Sequence, residues 1–183
     1  FSGTVLDTNA APLVGMVVEI RDAPGVVLLS TLTDASGGFF LESVDPIAAD
    51  TVVTRGDLFA GPGVYPYVAE KLPLVLGREV FDGANNEIGR PIYLPVLNVD
   101  GGSQIDPAAN TTVQQELSPG DMAAVFVEAG TLLMDDGNGG TMAFAGTLSL
   151  TEVPTSLTPA ALPPNLVPDT VVTLQPGGMM FTS

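Results

Sequence analysis

Glycine and proline punctuate this chain at short intervals, and that spacing limits its fold more than any other feature. The 21 glycines and 16 prolines are spread along all 183 residues rather than clustered. Between them, runs rich in valine, leucine, threonine and aromatic residues recur about every ten residues, with no sustained helical period. Such short, evenly spaced strands suit an all-β sandwich. In the first half, residues 3–7, 14–21, 26–33, 38–44, 51–55, 67–76 and 87–96 read as strands. Alternation in 14–21 puts Met16, Val18 and Ile20 on one face and Val17 and Glu19 on the other. Pro73 and Pro91 push the last two strands toward sheet edges or bulges. Residues 26–33 and 38–44 read as the arms of a hairpin. Its turn has a mechanism: the Asp34 carboxylate can fold back onto backbone N–H groups two residues on. Gly37 or Gly38 can take the positive φ that closes such a turn with a bulge.

Composition excludes several function classes. There are 21 acidic residues against 5 basic ones, for a net charge of −16. That opposes binding to nucleic-acid phosphates or to anionic membrane surfaces. An acidic, lysine-poor surface fits an extracellular, cation-rich setting; solubility alone explains it equally well. The chain has no cysteine, histidine or tryptophan. Disulfides, zinc–thiolate sites and Ser-His or Cys-His catalysis are therefore excluded. Mean hydropathy is +0.38, yet no apolar run nears the roughly 18 residues of a membrane span. No basic segment followed by an apolar core opens the sequence, so either a leader has been removed or this is a piece of a longer chain.

Three segments carry a family pattern. They are Gly3-Thr4-Val5-Leu6-Asp7, then Pro12-Leu13-Val14-Gly15-Met16-Val17-Val18, then Thr33-Asp34-Ala35-Ser36-Gly37-Gly38-Phe39. Together they resemble the carboxypeptidase regulatory-like (transthyretin-like) domain, whose motif runs G-x-V-x-D, P-L-x-G-x-x-V, T-D-x-x-G-x-F. The likeness covers residues 2–44 closely and 45–95 loosely. It implies a seven-stranded sandwich related to prealbumin, of the kind used as spacer, adhesin repeat or receptor plug, and no peptidase activity.

The pattern breaks at Leu97-Asn98-Val99-Asp100-Gly101-Gly102, which places a domain boundary near 96–105. Beyond it, residues 111–117, 122–128, 142–153 and 170–174 read as strands, with another beginning at Met179-Met180-Phe181. Val127-Glu128-Ala129-Gly130-Thr131-Leu132, Leu148-Ser149-Leu150-Thr151 and residues 171–181 are similar to the β-sandwich of ankyrins, netrin receptors and tight-junction scaffolds, which bacterial surface proteins also carry. In that family further strands follow. Here Ser183 falls mid-pattern, so the final strands are expected to be missing or to come from another segment. The expectation is thus two tandem antiparallel β-sandwich domains (Ig-like/transthyretin-like), 1–96 and 97–183.

Candidate chemistry is sparse. Asp135, Asp136 and Asn138 around Gly137 offer alternating oxygen ligands with tight curvature, as calcium requires. No glutamate occupies the twelfth position of such a loop, and the same residues make an ordinary turn. Asp7 with Asn9, Asp34 with Ser36, and Asp100 with Asp106 are lesser candidates. Lys71, the one lysine, could condense with Asn85 or Asn86 beside Glu70 as an isopeptide; a solvated edge lysine is the plainer reading. Asn110-Thr111-Thr112 is a glycosylation sequon. Residues 26–29 and 171–174, if left on an open edge, are templates for strand addition. The expected function is non-catalytic: an extracellular or cell-surface structural module in spacing, adhesion or assembly. Its expected partners are neighbouring domains or copies of itself. The alternatives are a filament or surface-layer subunit using strand complementation, and a calcium-assisted glycan-binding module. No cofactor other than calcium is implied.

Overall fold

A computed structural model describes residues 1–117, 120–135, 140–153 and 171–176. Their regular structure is predominantly β, in several sheets compatible with β-sandwich packing. Two compact units separate between Val96 and Leu97.

Among the described residues the first unit holds seven strands: β1 (Ser2–Asp7), β2 (Val17–Arg21), β3 (Val27–Leu32), β4 (Gly38–Phe40), β5 (Thr51–Arg55), β6 (Tyr67–Lys71) and β7 (Ile92–Leu94). They form a three-stranded sheet in the order β4-β1-β7 and a four-stranded sheet in the order β3-β2-β5-β6. Val5, Phe39, Ile92 and Leu94 from the first sheet and Val18, Ile20 and Val52 from the second share one core. Alternation in β2 is as read: Met16, Val18 and Ile20 are buried there, and Glu19 lies on the opposite face. Burying each such aliphatic side chain contributes on the order of 1.5–3 kcal/mol.

The expected hairpin of residues 26–33 and 38–44 does not form. β3 pairs with β2, whereas β4 pairs antiparallel with β1, so the chain crosses between sheets at Asp34–Gly38. Sterics permit this pairing: Gly3 lies opposite Phe39, and a Cβ on Gly3 would sit 2.7 Å from the Phe39 ring. The missing side chain leaves room for Phe39 in the core with β4 against β1.

Other strands are shorter than their patterns suggested. Residues 14–16 precede β2, and β4 ends at Phe40. The run 67–76 is strand only to Lys71; a five-residue helix, Leu72–Leu76, follows with Pro73 in its first turn. Proline has no N–H for a ladder but fits a helix start. Gly77, at φ 65°, ends the helix in the left-handed conformation. Within 87–96 only β7 is strand, and it runs parallel to β1, so the first unit is not wholly antiparallel. β6 and β7 are both sheet edges, although Pro73 and Pro91 lie outside the two strands, in the helix after β6 and just before β7.

The second unit holds β8 (Ser103–Ile105), β9 (Thr111–Leu117), β10 (Asp121–Val127), β11 (Leu133–Asp135), β12 (Thr141–Ala143), β13 (Gly146–Val153) and β14 (Val171–Pro176). β9 and β10 pair with each other, as do β11 and β12, and a third sheet runs β14-β13-β8. Ile105, Val113, Val127, Phe144, Leu148 and Leu150 form the core. The continuous strand expected over 142–153 is broken at Phe144-Ala145. There Phe144 turns its ring into the core and donates its N–H to Leu132 O at 2.8 Å. Sequence reading missed β8 and β11, both only three residues long. The strand expected from Met179 lies outside the described residues.

Candidate functional site

Two features of the first unit are built by long-range pairing: an ion-paired outer face on the four-stranded sheet, and an open edge at β3.

The outer face brings together Arg21 and Arg55, two of the five basic residues. Glu19, on the side of β2 away from the core, has a side chain only 9 % exposed. Arg21 Nε donates to it at 2.9 Å, and Arg55 Nη1 does so at 3.3 Å. Both guanidinium groups stand over the Tyr67 ring, 5.7 and 5.8 Å from its centroid. Beneath them Val53, opposite Glu19 in the ladder, is buried although it faces away from the main core. Arg55 also holds Asp57 at 2.8 Å. That bond keeps the Asp57 carboxyl below its ordinary 3.8, and raises the arginine in turn. The cluster is charge-balanced, with two guanidiniums against two carboxylates. It binds the sheet together and has no net charge to offer a ligand. Alternation alone put Glu19 and Arg21 on this face; their partners on β5 and β6 could come only from strand order.

β3 is the end strand of its sheet, and no described strand pairs with its outer side. Residues 26–33 contain no charge and no proline. A bulge beside Leu28 interrupts the ladder between Ile20 and Arg21, leaving 29–33 as regular edge. Thr33 N donates to Met16 O at 2.9 Å. Because hydrogen bonding alternates along an antiparallel strand, Ser30 and Leu32 turn their N–H and C=O groups to the open side. Val27 and Leu32 are exposed by 44 % and 60 %. The opposite edge of the same sheet, β6, carries Glu70 and Lys71 and gives way to the helix, a common way to blunt an edge.

The residues singled out from sequence are mostly engaged in local structure. For calcium, Asp136 and Asn138 lie outside the described residues, as does the Asp135 side chain; the Asp135 backbone pairs with Thr141 at the end of β11. Asp7 Oδ1 accepts from Asn9 N and Ala11 N, each at 2.8 Å. Asp34 Oδ1 accepts from Ser36 N, Ser36 Oγ and Gly38 N at 2.7–2.9 Å. Asp106 caps Ala108 N at 2.8 Å. Among the described residues no group of three carboxylates gathers as a metal site would. The isopeptide partners are separately occupied: Lys71 pairs with Asp50, Glu70 with Arg90, and the Asn86 amide with the Phe81 backbone. Lys71 is 56 % exposed, whereas such condensation needs a desolvated, uncharged amine. The sequon Asn110 accepts from Ala129 N at 2.9 Å.

No protein-family model, no curated protein and no solved structure matches the chain.

Proposed function

We propose that this chain is a non-catalytic structural module, of extracellular or cell-surface type, that joins to further copies of itself through the edge of β3. The carrying observation is the uncharged 29–33 edge, with Ser30 and Leu32 facing outward. It is self-complementary. If Ser30 of one copy stands opposite Leu32 of another, the two residues exchange both backbone hydrogen bonds, and the two-fold axis repeats the exchange. A net charge of −16 opposes association in general, but this contact brings no like charges face to face. One isologous contact gives a dimer; a filament needs a second contact. The finer fold reading belongs to the same proposal. Seven strands in two sheets around one core support a carboxypeptidase regulatory-like sandwich for Phe1–Val96, and the second core supports a separate sandwich after it.

The test is sedimentation velocity from micromolar to several hundred micromolar. The wild type is expected to shift toward dimer with concentration. Ser30→Pro removes an outward N–H that the ladder to β2 does not use, so it is expected to fold and stay monomeric. Leu32→Lys is expected to do the same by placing a charge on the edge. A wild type that stays monomeric throughout, or a dimer unaffected by both substitutions, refutes the edge as the contact.

A further inference from the structure

The start of β1 is flanked by two loops, 41–47 and 80–86, with a cavity of about 470 Å³ between them. That volume lies within the range of small-molecule sites. Both loops are fixed rather than merely adjacent. Phe1 and Leu41 exchange two bonds: the Phe1 amino group donates to Leu41 O at 2.8 Å, and Leu41 N donates to Phe1 O at 2.9 Å. On the other side Ser2 N donates to Asn86 O at 3.3 Å, and Ile88 N donates to Ser2 O at 2.9 Å. The buried Asn86 side chain closes its own loop into a ring. Its Oδ1 accepts from Phe81 N at 2.9 Å, and its Nδ2 donates to Phe81 O at 2.9 Å and to Ala84 O at 3.3 Å. A cavity held this way loses little conformational freedom on filling.

Its lining combines two chemistries. Phe1, Phe40, Ile47 and Phe81 supply apolar walls, and Val44, 95 % exposed, stands at the mouth. Glu42, Asp45 and Asp82 also line it, and no lysine or arginine does. Elsewhere in this unit the carboxylates of Glu19, Asp50, Asp57 and Glu70 each have a basic partner. None of these three forms a salt bridge among the described residues; the Phe1 ammonium lines the same cavity and attracts Glu42 through space, which leaves Asp45 and Asp82 without a basic neighbour in the lining. The Phe81 ring already accepts a cation on one face: the Arg78 guanidinium stands 5.6 Å from its centroid. We propose that this cavity is a binding site for an organic cation with an aromatic or branched apolar body. The apolar part packs on Phe1, Phe40 and Phe81, and the ammonium faces Glu42, Asp45 and Asp82. Aromatic rings and carboxylates around one pocket both favour an ammonium over a neutral or anionic group, and the exposed rims of Phe40 and Phe81 keep that preference modest. None of the lining residues belongs to β3, so the site is independent of edge pairing.

The experiment is an amide chemical-shift titration of the full chain with 2-phenylethylammonium, 2-phenylethanol and 3-phenylpropionate. The ammonium is expected to give saturable shifts concentrated at 40–47 and 80–86. The alcohol is expected to bind there at least fivefold more weakly, and the carboxylate not at all. Glu42→Gln, Asp45→Asn and Asp82→Asn combined are expected to weaken the ammonium about fivefold or more and to leave the alcohol unchanged. Equal binding of ammonium and alcohol refutes the proposal. So do shifts scattered over the acidic surface, or no saturation at millimolar concentration.

Discussion

Replacing Gly37 by alanine adds one methyl group where the fold has no space for it. Gly37 sits at φ 76°, and its Cβ would fall 2.4 Å from Val5 O, a backbone atom of β1. Val5 N also donates to Gly37 O at 2.8 Å. Two costs therefore add. Holding a non-glycine residue at positive φ costs about 1 kcal/mol. Moving β1 away from the methyl breaks a backbone bond worth about 1 kcal/mol and loosens the packing of buried Val5, about another 1 kcal/mol. Gly25 is the internal control: it has φ 92° and nothing within 4 Å of its Cβ. Gly25→Ala is expected to carry the conformational cost alone, about 1 kcal/mol. Urea denaturation followed by circular dichroism should then show Gly37→Ala losing about 3 kcal/mol and Gly25→Ala about 1 kcal/mol, with similar m-values. Equal losses would refute the claim that contact with β1, rather than turn conformation, makes glycine necessary at position 37.

Five further substitutions have expected outcomes. Ala10 adopts φ 61°, the one positive φ outside glycine among the described residues, so Ala10→Gly is expected to stabilise by about 0.5 kcal/mol in the same assay. Asp34 is held below its ordinary 3.8, first by the Ser36 hydroxyl and then by the Ser36 and Gly38 N–H groups. A carboxyl depressed by folding adds stability above its unfolded pKa of about 4 and loses it as pH falls through the lower folded value. The melting temperature of wild type should thus exceed that of Asp34→Asn near pH 6, with the gap narrowing as pH falls below the unfolded pKa of about 4. Glu19→Gln is expected to cost about 1–2 kcal/mol, because Arg21 loses its charged partner and Arg55 one of its two, over buried Val53; Lys71→Ala, at an exposed pair, is expected to stay within about 0.5 kcal/mol. Asn86→Ala should cost about 2 kcal/mol and raise amide hydrogen exchange across 80–86.

Turn chemistry was the most legible part of this sequence, and the structure shows one turn used three times. At Asp22 and at Asp34 the aspartate N–H donates to the carbonyl four residues on, its carboxylate accepts from that same residue's N–H, and a glycine at the fourth position takes positive φ. At Asp7 the same bonds recur with Ala10 in the glycine's place. Every bond closes within five residues, so local composition suffices to specify it. The alternation that buried Met16, Val18 and Ile20 was legible for a similar reason: the pleat gives it without reference to any partner.

What these turns connect was not legible. The Asp22 turn closes a hairpin, while the near-identical Asp34 turn carries the chain from one sheet to the other. One contributor is Gly3, which makes room for Phe39 from more than thirty positions away in the sequence.

The sequence by itself determined that this chain is made of short strands joined by aspartate–glycine turns, because those preferences act over a few residues. Tertiary structure alone decided that β4 leaves β3 for β1 and that β7 runs parallel to β1. It also decided that Glu19 meets Arg55, that β3 ends its sheet, and that two loops enclose a cavity beside Phe1. Each of these is a pairing between distant segments, selected by shape and charge fit that no local pattern records.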